Sequence, residues 1–210
     1  PAGELDQAGM VNSPFAFLQS GAVWMCFAFF LLITTAFGAI QNFATPILQQ
    51  LHGLSLAAGA SALSAYLVGG AAGILSGGFL ARRGAHERLI ATALGTAALL
   101  VVALATLPLP QWAVLPLMTG IGYCTGIAGP SRDLLVRRAA TSRFGQAAYG
   151  RVYGFVYSGL DAGLALAPIA FGAFMDGGRF AAVLIGIAVL QGLAILTALQ
   201  VGGAALPADA

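Results

Sequence analysis

Six long apolar runs follow one another along the chain, separated by short polar or glycine- and proline-rich connections. Each run holds about 19 to 25 residues, which an α-helix needs to cross a bilayer at about 1.5 Å of rise per residue. The pattern therefore predicts an all-α membrane protein with six transmembrane helices. The predicted spans are Gly21–Ala44, Leu56–Leu80, Leu89–Leu107, Gln111–Ala128, Val152–Phe174 and Phe180–Val201.

The segments outside the apolar runs are short. Residues 1–20 are polar or mixed and are predicted to form a cytoplasmic linker. The six-span domain is predicted to cover residues 21–203, and residues 204–210 to form a cytoplasmic tail. Because the spans fall into two triplets of equal size, we expect a 3+3 inverted repeat.

Composition excludes a soluble domain. The 210 residues are 59% hydrophobic and 8% charged, whereas soluble domains average about 25% charged residues. Nucleic acid is not an expected partner, because the apolar runs need lipid and the arginines have a topological explanation. The expected surroundings of the chain are therefore a lipid bilayer.

The basic residues indicate the orientation in the membrane. Eight of the nine lie in the two connections after spans two and four, and the opposite connections hold only Arg179. Because cytoplasmic loops carry the excess of arginine and lysine, both termini are predicted to face the cytoplasm. The long loop after span four is predicted to hold about twenty residues. The clustered arginines are Arg82, Arg83, Arg88, Arg132, Arg137, Arg138, Arg143 and Arg151.

Cysteine and histidine give no expectation of a metal or a cofactor. Cys26 and Cys124 fall inside predicted spans and are interpreted as small apolar residues. His52 and His86 are predicted to lie in loops and share no ligand spacing with the cysteines. A rhomboid-like protease would need a serine beside a membrane-embedded histidine, so an enzyme is not the favoured class.

Glycine marks one predicted helix contact. Gly69, Gly73 and Gly77 recur every four residues in span two, which lets two helix backbones approach closely in lipid. Static packing is the favoured interpretation, and a sliding or gating contact is the alternative.

Three stretches carry a family resemblance. The segment 77–84, with Gly78, Arg82, Arg83 and Gly84, resembles the cytoplasmic loop motif of the major facilitator superfamily. Arg82 stands where that motif has an acidic residue, and the spacing to Gly84 is one residue short. The segment 129–138 and the glycine–proline pattern from Gly150 to Asp176 resemble the end of the family's tenth helix and its eleventh helix.

The resemblance covers about residues 15–203 and implies the C-terminal half of such a transporter. Spans one to six would then correspond to helices seven to twelve of the family. Residues 1–20 would be the end of the central cytoplasmic loop, which agrees with a chain that begins at Pro1 rather than methionine.

Asp161 is the ionisable residue predicted to lie deepest in a span. A carboxylate there costs about 2.5–3.5 kcal/mol to insert, so we expect it to face a cavity or a partner. Tyr157 lies four residues earlier on the same helical face and could hydrogen-bond to it. One hypothesis is proton coupling or cation contact through Asp161, and the other is a purely structural carboxylate.

The family resemblance implies that the first and fourth spans line the central cavity. Gln41, Asn42 and Tyr123 are therefore the expected substrate contacts, with hydrogen bonding between helices or to headgroups as the alternative. Gln191, in the middle of span six, is interpreted as a packing hydrogen bond.

These features together favour a secondary active transporter of the cytoplasmic (inner) membrane. It would be proton-coupled and move a small-molecule substrate by alternating access, together with a separate N-terminal six-helix half. The alternative is a stand-alone six-span protein that acts as a homodimeric transporter or channel with a second copy of itself.

Overall fold

The computed structural model describes the backbone of residues 16–82 and 86–204, and the side chains of 17–82, 86–134, 137 and 150–200. The described chain is helical: a short 3-10 helix, Ala16–Gln19, precedes a series of α-helices. These are α1 (Gly21–His52), α2 (Leu56–Ala81), α3 (His86–Thr106), α4 (Gln111–Asp176) and α5 (Phe180–Ala204).

Six segments of the described chain are long and apolar enough to cross a membrane. Four of them lie in α1, α2, α3 and α5, and the other two lie in α4. We name the two in α4 span 4 (Gln111–Leu134) and span 5 (Gly150–Asp176). The prediction of an all-α, multi-pass membrane protein is confirmed at this level.

The first helix is longer than expected. We predicted its end at Ala44 with Pro46 in a connection, but α1 continues through Pro46 to His52. It ends at Gly53, whose φ of 66° is a left-handed conformation, and the Gly53 amide donates to the carbonyls of Gln49 and Leu48. Glycine adopts that conformation without a Cβ clash, so the stop signal is Gly53 and not the proline.

The predicted loop after span 4 is also wrong. The backbone is helical throughout Gln111–Asp176, and span 4 continues past Pro130 to Leu134. Leucine, arginine, alanine and glutamine recur in this segment, and all four are good helix formers. The helix contacts below show that spans 4 and 5 run in opposite directions, so this helical segment is not straight and turns back on itself between the end of span 4 and the start of span 5.

The closest helix contact joins α2 to span 4, and the two helices run parallel. A Cβ placed on Gly73 would overlap the carbonyl oxygen of Tyr123, and one on Gly126 would overlap that of Gly70. The same is true along the contact from Gly69 to Gly77. The predicted packing role of the span-two glycines is therefore confirmed, since only hydrogen fits at these positions.

A second parallel contact joins α1 to span 5. A Cβ on Gly159 would lie 2.9 Å from the carbonyl oxygen of Phe27, and one on Gly163 would lie 2.7 Å from that of Leu31. Further along, Gly38 packs against Ala167. Since α1 and α2 are antiparallel neighbours joined by the Gly53 turn, these two parallel contacts place spans 4 and 5 antiparallel to each other.

The remaining helices complete the bundle. Helix α3 packs on span 4 and on α5, and α5 also packs on α1. One end of the bundle carries Arg82, Arg88 and Arg132, and we call it the arginine end. Two apolar clusters fill the interior, one at the arginine end around Phe30 and one at the opposite end around Ile47.

The glycine contact gives a prediction about stability. Changing Gly73→Ala should destabilise the protein by about 1–3 kcal/mol, because a methyl group must push two helix backbones apart. The measurement is the thermal unfolding midpoint of the purified protein in detergent, which should fall.

Gly78→Ala is the matched control on the same helix. A Cβ there meets nothing within 4 Å, so its midpoint should stay the same or rise slightly, since alanine favours helix over glycine. Equal midpoints for the two variants would mean that α2 and span 4 are not in this close contact.

Candidate functional site

A cleft of about 490 Å³ opens on one face of the bundle between α1, α2, span 4 and span 5. Its walls are mostly apolar, and the rim residues Leu67, Ile74 and Leu164 are exposed. The volume lies in the range of small-molecule sites, which typically combine apolar walls with a few placed polar groups. The cleft is therefore the candidate site of this chain.

Gln191 of α5 supplies the first of those polar groups. Its side chain is 1% exposed, lines the cleft and lies between the two apolar clusters. Its Oε1 is a buried acceptor with no hydrogen-bond partner in the described residues. The expected packing hydrogen bond is thus absent at this oxygen, and Gln191 brings an unpartnered buried acceptor to the wall of the cleft.

Arg132 supplies the second polar group, at the arginine end of the cleft. Its guanidinium carbon lies 4.5 Å from the centre of the Phe30 ring, and its Nε donates to Asp133 Oδ1 at 3.0 Å. A cation over an aromatic face and a charge-assisted hydrogen bond both fix the guanidinium. Arg132 is consequently held in place before any ligand arrives.

Two tyrosines of span 5 extend this arrangement. The Tyr153 hydroxyl donates to the Tyr157 hydroxyl, the two rings stack at 4.0 Å, and Tyr157 also packs on Phe30 at 4.9 Å. The Asp133 side chain lies close to Tyr157 as well. The five side chains connect α1, span 4 and span 5 at the arginine end.

His86 is not in a loop, contrary to expectation. It is the first residue of α3, it is 3% exposed, and its Nδ1 lies 3.4 Å from the Ser131 hydroxyl oxygen. His52 likewise belongs to a helix, α1, and its Nε2 lies 2.9 Å from the Leu104 carbonyl oxygen. Ser131 is fully buried and does not line the cleft, so a solute in the cleft does not reach it.

Asp161 lies in span 5 and is exposed, beside the cleft-lining residues Leu160 and Leu164. At about 100° per residue, Asp161 is turned roughly 60° from Leu164 around the helix, away from the buried face. Its carboxylate has no hydrogen bond or ion pair to any described residue. The expected partner Tyr157 instead accepts a hydrogen bond from Tyr153.

The three expected substrate contacts do not line the cleft. Gln41 is exposed one turn beyond the cleft-lining Phe37, so it continues that face of α1. Asn42 is exposed, and its Nδ2 donates to the Gly38 carbonyl at 2.7 Å within the same helix. Tyr123 is 38% exposed, and its position on span 4 is on the other side of the α2 contact from the cleft.

The structure describes part of the predicted cytoplasmic loop motif, namely Gly78 and Arg82. Gly78 is exposed near the end of α2, and Arg82 follows that helix with its guanidinium carbon 5.6 Å from the centre of the Phe79 ring. Arg83 and Gly84 lie outside the described residues. Within the described part of the motif, the contacts of Arg82 are local to α2.

The search of protein-family models and of curated proteins found no match to this chain.

Sequence reasoning missed the side chains that define the cleft. For Arg132 the sequence favours topology and contact with anionic lipid, with a clamp of a cytoplasmic gate as the alternative, and it does not single out Thr125, which also lines the cleft. The signal that could have found Arg132 is its place directly after the apolar run, with an acid next to it. The approach of Tyr66 on α2 to Thr125 on span 4, where both line the cleft, has no signal in the sequence pattern.

The unpartnered oxygen of Gln191 gives the second prediction. Gln191→Leu should leave the unfolding midpoint unchanged or raise it, because a buried acceptor without a partner costs about 1–3 kcal/mol and leucine removes that cost. A clear fall in the midpoint would show that Oε1 holds a structural hydrogen bond. Gln191→Ala is the control: it leaves a cavity and should lower the midpoint.

Proposed function

We propose that this chain is one half of a proton-coupled secondary transporter that moves a small molecule through the cleft by alternating access. The observation that carries the proposal is the cleft itself: an apolar, small-molecule-sized space, open on one face of a membrane bundle, with a fixed cation and an unpartnered buried acceptor in its walls. Such a space has one wall missing, and a second six-helix unit would supply it.

The order of helix contacts supports a 3+3 inverted repeat. The first helix of each triplet packs in parallel on the second helix of the other: α1 on span 5, and span 4 on α2. The third helix of each triplet packs on the first helix of the other, and the two third helices pack together. Exchanging the two triplets leaves this pattern unchanged, as an inverted repeat would require.

The exposed position of Asp161 supports a face of the bundle that contacts water or a second helical unit rather than lipid. An exposed carboxylate within a span costs about 2.5–3.5 kcal/mol if it meets lipid. Since it lies next to the cleft, water or a second helical unit at that face would remove the cost. We propose Asp161 as the group that exchanges the coupled proton, with both termini in the cytoplasm and the arginine end facing it.

Access to the cleft can be tested without knowing the solute. The background is Cys124→Ala, and single cysteines are introduced at two positions. Gln41→Cys lies beyond the far end of the cleft, and Gly129→Cys lies within the cleft near the arginine end. A membrane-impermeant maleimide labels the full-length protein in whole cells and in inside-out vesicles at one fixed pH. Collapsing the proton gradient should change labelling of the two positions in opposite directions, each by about twofold or more, because one gate opens as the other closes.

Leu56→Cys, exposed at the start of α2, is the control and should label equally with and without the gradient. Asp161→Asn should remove the gradient dependence, whereas Ser158→Ala, an exposed polar change one turn away, should keep it. Labelling that changes in the same direction at both positions, or not at all, would contradict alternating access.

The identity of the second unit gives the next prediction. We expect the native polypeptide that carries this sequence to have about twice the 21.2 kDa mass of this chain, since an inverted-repeat transporter of this kind places its site between two such halves. Mass spectrometry of the protein purified from source membranes measures it. A mass near 21.2 kDa would instead assign the second unit to another copy, as in the homodimer alternative.

A further inference from the structure

Arg132 keeps a hydrogen-bonding edge free for a ligand. Its Nε–H is used by Asp133, and its face is covered by Phe30. Within the described residues its terminal Nη groups make no hydrogen bond. A guanidinium carries five N–H donors in a planar fork that matches a carboxylate. The cleft therefore presents oriented donors that suit a planar anionic group.

The charge around the arginine end favours an anion as well. The described part of the arginine end has five arginines and only two carboxylates, those of Glu87 and Asp133. The arginines are Arg82, Arg88, Arg132, Arg137 and Arg151. A surface with an excess of one sign raises the local concentration of opposite charge and steers it inward. Because Asp133 offsets part of the Arg132 charge, a monoanion fits the cleft better than a dianion.

The other residues of the cleft indicate the chemistry of the rest of the ligand. Ile33, Phe37, Leu160 and Leu164 line an apolar space, and the buried Oε1 of Gln191 lacks a donor. We infer that the cleft binds a small, water-soluble organic monocarboxylate with an apolar body and a hydrogen-bond donor. Arg132 would hold the carboxylate, and Gln191 would accept from the donor. The inference rests on the proposed function, since it names the solute class of the same cleft.

Equilibrium binding tests this independently of transport. The full-length protein is placed in nanodiscs of neutral phosphatidylcholine and titrated calorimetrically with benzoate, the three hydroxybenzoate isomers, benzamide, benzylamine and inorganic phosphate. Benzoate and the hydroxybenzoates should bind, with at least one isomer tighter than benzoate. Benzamide, benzylamine and phosphate should bind at least about tenfold more weakly, because they lack a monoanionic carboxylate.

Three variants assign the contacts. Arg132→Gln should weaken benzoate binding about tenfold or more, and Arg132→Lys should restore part of it by keeping the charge without the fork. Arg82→Gln removes an arginine at the same end that does not line the cleft, so it loses only a long-range contribution and should weaken binding by about twofold or less. Gln191→Leu should abolish the advantage of the tighter hydroxybenzoate over benzoate while benzoate itself still binds.

The outcomes separate this inference from the proposed function. The assignment of a monocarboxylate ligand would be overturned if benzamide bound as tightly as benzoate, or if benzylamine or phosphate bound more tightly. It would also be overturned if Arg132→Gln and Arg82→Gln had equal effects, or if no carboxylate bound at all. If gradient-dependent cysteine labelling persists in that case, transport stands and only the solute class falls. If carboxylates bind but the labelling never alternates, the ligand assignment stands and the transport proposal is contradicted. Melting curves of each variant confirm that it is folded before titration.

Discussion

Direct contact between helix backbones is the interaction on which this bundle depends. Lipid tails are as apolar as leucine, so burying apolar side chains between helices gives little driving force inside a bilayer. Dispersion between closely packed atoms then has to hold the helices together, and it falls off steeply with distance. The glycines of α2 and spans 4 and 5 remove the side chains that would keep the backbones apart.

The position of the cleft follows from these contacts. Because α2 is bound closely to span 4 and α1 to span 5, the bundle is tight along two lines and open between them. The cleft lies in that opening, with Gly70 and Gly126 in its walls. Glycine thus contributes twice: it brings the helices together, and it leaves open space where the contact ends. Gln191 and Arg132 reach this space from α5 and span 4.

The sequence predicted the six spans because each is a long, uninterrupted apolar run, and it predicted the role of Gly73 because a four-residue spacing places glycines on one helix face. It failed at Gly53, where the end of the helix depends on a local capping conformation. It also failed in the segment after Leu134, where helix formation depends on intrinsic propensity rather than on hydropathy. It also failed for the cleft. Gln191, Arg132 and Tyr66 are brought together by contacts between distant helices, which no local pattern encodes.

The glycine contacts have a thermal consequence. Unfolding of a soluble core exposes apolar surface to water, and this gives a large positive heat-capacity change that curves the stability with temperature. Separating α2 from span 4 inside a bilayer would expose backbone to lipid instead, with little apolar surface reaching water. The association would therefore be mainly enthalpic, with a small heat-capacity change, and it would strengthen steadily on cooling rather than pass through a maximum.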